Sequence, residues 1–285
     1  MTDKVMVVTG ANTGIGKESA IALAAAGATV VMTARSREKG EAALADVRRR
    51  SGSERVELGD LDLGSFASIR AFAAWLLDRH DRLDVLVNNA GLILDWRMET
   101  EQGFEMMFGV NHLGHFLLTD LVRDRLVASA PSRVVVLTSV AHRLAIGGLD
   151  RSDLQATASF NGVGRYSQSK LANALFAAEA ARRLGGTGVT VNAVHPGSVH
   201  SRFGRDGDSS LGVFVKVFGP IVMRSPKAGA RTSVLLAGSE ASRVTGVTGG
   251  YFSHGRRWPA SRRARDPEEA RWLWEHSERL VADAS

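Results

Sequence analysis

The chain of 285 residues contains no cysteine. Disulfides, thiolate metal sites and cysteine nucleophiles are therefore excluded. It also lacks a long apolar run: the most apolar late stretch, LGVFVKVFGPIVM at 211–223, is too short to span a bilayer and is broken by Lys216 and Pro220. After MTDK the sequence passes straight into a short apolar run and a glycine loop, with no basic segment leading an apolar h-region. No export signal and no membrane span are expected, and a cytoplasmic protein fits. There is no internal repeat, no low-complexity block and no proline-rich linker, so one domain over 1–285 is expected. Neither charge dominates strongly, the net being +6, and much of that surplus lies in GRRWPASRRAR at 255–265. Such a cluster reads as a solvated tail or a subunit contact ahead of a polyanion site, and no nucleic-acid partner is expected.

What is present is alternation. Short β-branched runs at 5–9, 29–34, 55–61, 84–89, 133–139, 190–195 and 249–253 are separated by alanine- and leucine-rich stretches near 15–26, 37–50, 65–79, 100–128, 164–184 and 226–237. This pattern predicts a Rossmann-type α/β fold, a doubly wound parallel sheet of seven strands with helices on both faces. DPEEARWLWEHSERL at 266–280 predicts a last helix. Asp266 caps it, Pro267 takes its first position, Glu269 completes a capping box, and Ala270, Leu273, Trp274, Ser277 and Leu280 share its docking face.

The run TGANTGIGKE at 9–18 sits between a strand and a helix. A triphosphate P-loop needs glycine where Ala11 stands and a hydroxyl where Glu18 stands, so that reading fails. TGxxxGxG remains: Gly10 for the turn, Gly14 for approach of the backbone to a pyrophosphate, and Gly16 for close helix–strand packing. An NAD-binding fold places an acidic residue at the end of the second strand, where this chain has TARSR at 33–37. Ala34 cannot accept hydrogen bonds from a ribose, whereas the Arg35 guanidinium suits a 2′-phosphate, so NADP is expected over NAD.

Further along come NNAG (88–91), NHLGHF (111–116), LTSVAH (137–142), YSQSK (166–170) and HPGSVHS (195–201). With the glycine loop, this ordered set resembles the short-chain dehydrogenase/reductase family, most closely the branch with retinol dehydrogenases, the WW-domain oxidoreductase and protochlorophyllide reductase. The resemblance implies that Tyr166 is the catalytic acid/base and that Lys170 binds the nicotinamide ribose and lowers the tyrosine pKa. It implies further that Ser139 orients the substrate carbonyl and that Asn111 supports a water-linked proton relay. Helical spacing agrees for one pair, since residues four apart share a face and an adjacent ammonium favours a phenolate.

The same resemblance implies cofactor contacts from Asn12, Thr13 and Ile15 in the loop, from Asp62 and Leu63 at the adenine, and from the backbone around Asn88, Ala90 and Gly91. Pro196, Val199 and Ser201 would lie at the carboxamide. Asp62 equally reads as a cap for the helix starting near Ser65, and NNAG as a plain strand-to-loop turn. The long segment 140–165 is expected to wall the substrate site. Residues 203–223 correspond to the family's substrate loop, an apolar lid or a buried helix face, which points to a lipophilic aldehyde or ketone. The helix with LANALFAAEAA (171–181) is apolar on more than one face, and relatives pair subunits there, so a homodimer or homotetramer is expected. His112 and His115 lack partner ligands at metal-binding spacing, and no metal is expected. An NADP-dependent oxidoreductase acting on a small-molecule carbonyl or alcohol follows. The alternative is a non-catalytic NADP-binding redox sensor or scaffold, which would not need the acid/base tyrosine.

Overall fold

The alternating runs close into one sheet. The computed structural model describes residues 1–197, 225–241 and 244–284. Strands β1 (Val5–Val8), β2 (Thr29–Ala34), β3 (Val56–Asp60), β4 (Val85–Asn88), β5 (Ser132–Leu137), β6 (Val189–His195) and β7 (Tyr251–Ser253) lie parallel in the order β3-β2-β1-β4-β5-β6-β7. An eighth strand, β8 (Arg256–Trp258), runs antiparallel to β7 at the edge. It adds one strand to the expected seven, and it is made of the basic segment. The cause is a two-residue His254-Gly255 turn with φ of +54° and +73°, the twist that favours tight hairpins.

Because both faces are covered, β1 is buried along its whole length. Its period-two alternation sends Met6 and Val8 to one core, with Leu23 of α1 (Gly14–Ala25), Val47 of α2 (Arg37–Ser51) and Leu236 of α8 (Pro226–Gly238). Val7 faces the other core. There it joins Phe72 of α3 (Phe66–Arg79), Phe116 of α5 (Gly114–Leu121), Leu171 of α7 (Gly162–Arg183) and Leu273 of α9 (Pro267–Asp283).

The helix expected over 100–128 is not continuous. Residues 100–105 form a tight turn, with Gly103 at φ +79° and Thr100 N donating to Phe104 O at 2.8 Å. The buried Glu105 carboxylate then caps α4 (Met106–Phe108), accepting from Met107 N at 2.9 Å and Phe108 N at 2.8 Å. A π-helical turn, Gly109–Leu113, precedes α5 and α6 (Arg123–Ala128). Apolar periodicity cannot distinguish a helix from one carrying an inserted π turn.

Helix α9 starts as its capping signal requires, with Asp266 accepting from Glu268 N and Glu269 N at 3.0 and 3.2 Å. Half of the expected capping box does not form, since the Glu269 carboxylate reaches Leu149 N at 2.6 Å instead. Part of the apolar surface of α7 is covered within the chain: Phe176 stacks on Trp274 of α9 with ring centroids 5.8 Å apart.

Candidate active site

Strand β1 has β2 on one side and β4 on the other, so the chain leaves these central strands toward opposite edges and a crevice opens at their carboxyl ends. The glycine loop follows β1 and NNAG follows β4. Thr9 ties them together: its Oγ1 accepts from Asn89 N at 2.8 Å and Ala90 N at 2.9 Å, while Asn89 Nδ2 donates to Thr9 O at 2.7 Å. A Cβ on Gly16 would lie 2.5 Å from Asn89 Nδ2 and 2.6 Å from Gly10 O, so only glycine permits this packing.

Gly10 and Gly14 adopt left-handed φ values of +62° and +58°, and a Cβ on Gly14 would meet nothing within 4 Å. Thr13, at the N-cap of α1, makes no side-chain capping bond among the described residues, so it leaves the first-turn N–H groups to other acceptors. Asn12 and Ile15 flank it, half-buried. Open space at a helix N-terminus without a side-chain cap fits a dinucleotide pyrophosphate.

The adenosine side is partly as expected. Ala34 is buried at the end of β2, and the next residue, Arg35, is exposed with no ion pair among the described residues. Arg37, by contrast, is engaged by Glu41 and Asp60 at 2.8 and 3.1 Å. Of the two readings of Asp62, the helix cap falls, because Ser65 caps α3 and the Asp62 carboxylate instead accepts from Gly64 N at 2.9 Å. Leu63 is buried, its side chain and carbonyl pressed against Gly114. The Asn88 side chain donates to Thr119 Oγ1 at 2.9 Å. Ala90 and Gly91 are half-buried at the crevice, and a Cβ on Gly91 would stand 3.2 Å from Lys170 Nζ. Pro196 follows β6, whereas Val199, Ser201 and the expected lid at 203–223 lie outside the described residues.

Three expected catalytic side chains converge beside this crevice. Ser139 follows β5, and Tyr166 and Lys170 stand one turn apart on α7, all nine-tenths or more buried. The Ser139 side chain hydrogen-bonds Tyr166, and Lys170 Nζ lies 5.6 Å from the centre of the tyrosine ring. Burial runs against the lowering expected from Lys170. Burial pushes the phenol up to about 12, with the Ser139 hydrogen bond opposing it, and burial brings the Lys170 ammonium down to about 8.

Asn111 is fully buried in the π turn. Its side chain grips Leu92 from both sides, accepting from the N–H at 2.8 Å and donating to the carbonyl at 2.9 Å, and it also donates to Ser169 Oγ at 3.0 Å. Its amide is thus fully engaged, and its backbone carbonyl accepts from His115 Nδ1 at 3.1 Å.

Several residues that sequence reasoning did not assign hold this geometry. His115 donates from Nδ1 to a carbonyl, so its Nε2 accepts from Thr9 Oγ1 at 2.9 Å, linking the π turn to the glycine loop. His112 pairs with Ser277 Oγ of α9 at 2.9 Å. Among the described residues no cluster of metal ligands exists. Gln168, two residues past Tyr166, holds the expected substrate wall, donating to Gly148 O at 3.1 Å and accepting from Asp150 N at 2.9 Å. His195 Nδ1 accepts from Val140 N at 3.2 Å, fixing the turn after Ser139. No spacing rule singles out Gln168 or His195, because their partners come from distant segments.

Comparison with known proteins agrees with this geometry. Residues 4–150 match the family described as short chain dehydrogenase. Human retinol dehydrogenase 13 is 45% identical over 283 residues, covering 98% of this chain and 84% of its own length. Human retinol dehydrogenase 12 is 45% identical over 278 residues, covering 98% and 86%. Among solved structures, a putative uncharacterized protein from Mycobacterium paratuberculosis superposes with a TM-score of 0.78 at 34% identity, covering 99% of this chain and 94% of its own. The RhlG/NADP complex of Pseudomonas aeruginosa gives 0.69 at 27%, covering 89% and 95%. A glycine loop and a tyrosine–lysine helix turn meeting at one switch point, in a chain this similar to those relatives, make it a member of the short-chain dehydrogenase/reductase family, in its retinol dehydrogenase-like branch.

Proposed function

We propose that this oxidoreductase of CH–OH and C=O groups uses NADPH and works as a reductase of lipophilic aldehydes or ketones. The observation that carries the reading is the buried Tyr166 phenol, hydrogen-bonded to Ser139, one helical turn from Lys170. Bound at the crevice, the nicotinamide would supply the hydride. Ser139 holds the carbonyl oxygen, and Tyr166 gives that oxygen its proton. Burial favours the protonated phenol, the form that an acid needs before reduction. Lys170, with a pKa near 8, is mostly cationic at neutral pH and stabilises the phenolate left behind.

The cofactor choice rests on the exposed Arg35 beyond Ala34, which has no ion pair among the described residues, and the Pseudomonas aeruginosa neighbour is itself an NADP complex. The substrate class rests on the apolar residues of 203–223. A redox sensor would need the glycine loop but not the Ser139–Tyr166 pair, so the enzyme reading is favoured. A cytoplasmic location and a homodimer or homotetramer belong to the same reading. Among the described residues no helix is long and apolar enough to cross a membrane.

The test is NADPH and NADH oxidation by the purified protein across aldehydes and ketones of increasing chain length. Faster turnover with NADPH and lower KM for the longer carbonyls support the proposal. No oxidation with any carbonyl would leave the sensor reading standing.

A further inference from the structure

The arginine-rich segment is neither a tail nor accounted for by the reaction. Residues 254–265 form the β7–β8 turn, edge strand β8 and the loop leading to α9, and this loop lies against the turn that starts at Ser139. Arg143 donates to Pro259 O, Arg263 Nε donates to Ile146 O at 3.2 Å, and Ser261 N donates to His142 Nε2 at 3.1 Å. Two segments far apart in sequence thus make one surface. The stretches 143–146 and 254–265 carry six arginines and no acidic residue. All six arginines are exposed, and none forms an ion pair among the described residues.

The same surface exposes large apolar side chains. Ile146 is 81% exposed, Trp258 52% and Leu144 44%, three of the five large hydrophobic residues exposed among the described residues. A surface for water alone gains nothing from an isoleucine held out between arginines. A nucleic acid would use the guanidinium groups and leave Ile146 and Leu144 unused. A second copy packed about a twofold axis would bring like arginines together. Exposed arginine, tryptophan and aliphatic side chains on these two joined segments match the interface of an anionic bilayer: phosphates meet guanidinium groups, the indole sits at headgroup level and the aliphatic tips enter the acyl boundary.

We propose that this face docks on an anionic phospholipid surface. Docking there sets the 140–144 turn, and with it the Ser139 side of the active site, against the bilayer. A carbonyl compound dissolved in lipid would then reach the site from its own solvent.

The test is cosedimentation of the intact protein with phosphatidylcholine vesicles and with mixed phosphatidylcholine–phosphatidylglycerol vesicles. The wild type should bind the mixed vesicles, weaken as salt is raised, and leave the neutral ones unbound. Each arginine near an anionic surface contributes roughly a fivefold factor, so replacing Arg256, Arg257 and Arg262 by serine should weaken partitioning about a hundredfold. Replacing Lys39, Arg49 and Arg123, three exposed charges remote in sequence, should have far less effect. Ile146→Ser with Trp258→Ser should weaken binding while leaving its salt slope, and brominated lipid should quench wild-type fluorescence more than that of Trp258→Ser.

Failure of the wild type to bind mixed vesicles at low salt overturns the proposal. Equal losses from the two triple variants would reduce it to net charge. Tighter binding to duplex DNA without vesicle binding would assign the face to nucleic acid, and a concentration-dependent dimer abolished by Trp258→Ser without vesicle binding would assign it to a second copy.

Discussion

Positions 34 and 35 carry the proposed preference for NADPH over NADH. Ala34 is buried and offers no acceptor, while Arg35 is exposed and makes no ion pair among the described residues. Hydrogen bonds to charged groups are worth about 1.5–3 kcal/mol, so Arg35→Ala should weaken NADPH by roughly tenfold to a hundredfold and NADH far less. Titration by tryptophan fluorescence reads this, and equal NADPH and NADH affinities in the wild type would refute it. Tyr166→Phe keeps the ring packing and removes only the hydroxyl. It should cost about 10²–10⁴ in kcat with NADPH affinity retained. Substantial turnover by a folded Tyr166→Phe protein would sink the mechanism. The tyrosine itself was legible from YSQSK, but its pKa was not. Spacing on a helix reports the cation one turn away, whereas desolvation depends on everything packed around the phenol.

At the scale of elements, α9 braces the segment proposed to wall the substrate site. Glu269 holds Leu149 N, and Gln168 of α7 holds Gly148 and Asp150, so three consecutive wall residues are pinned from two helices. Glu269→Ala leaves the buried Leu149 N–H unsatisfied, which costs about 1–3 kcal/mol. KM for the carbonyl substrate should rise and thermal stability fall, while NADPH affinity stays. Steady-state kinetics with a thermal melt tests this, and unchanged KM for substrates of every size would detach α9 from the site. The Asp266 and Pro267 signals placed the start of α9 correctly because capping is local. The destination of Glu269 was not legible, since a carboxylate one turn into a helix reaches its own cap or a neighbouring loop with equal ease. The same limit explains the helix expected over 100–128: the buried cap at Glu105 and the packing of Gly114 on Leu63 decide where it breaks.

For the molecule as a whole, two histidines sit in the core that packs α5 and α7 on the sheet. Burial lowers His112 to about 3 and His115 to about 4, from an ordinary value of 6.5. Below pH 6.5 the unfolded chain takes up these protons and the folded chain does not, so stability present above that pH is lost as pH falls toward the folded values. At pH 5 each histidine contributes a loss of about 2 kcal/mol, a large share of the roughly 5–15 kcal/mol that holds a domain together. Burial also lowers His80 and His142, which act in the same sense, whereas the raised Glu105 acts against them. Urea midpoints should therefore drop between pH 7 and pH 5, and His115→Gln should flatten part of that slope. A midpoint independent of pH in this window would show that these imidazoles titrate as if exposed.

The sequence by itself determined the doubly wound sheet, the glycine loop and the shared helix face of Tyr166 and Lys170, because each depends on residue type at short spacing: period-two strands, caps, and side chains one helical turn apart; its ordered motifs carried the family. Tertiary structure alone decided the fate of groups whose partners come from elsewhere in the chain. Thr9 meets His115 and Glu269 meets Leu149 because strand order and helix packing bring them together. The arginines of 256–265 become an edge strand and a wall contact rather than a tail because a tight turn folds β8 onto β7. Composition records how many charges there are; the environment that sets their partners and their protonation exists only once the chain has closed on itself.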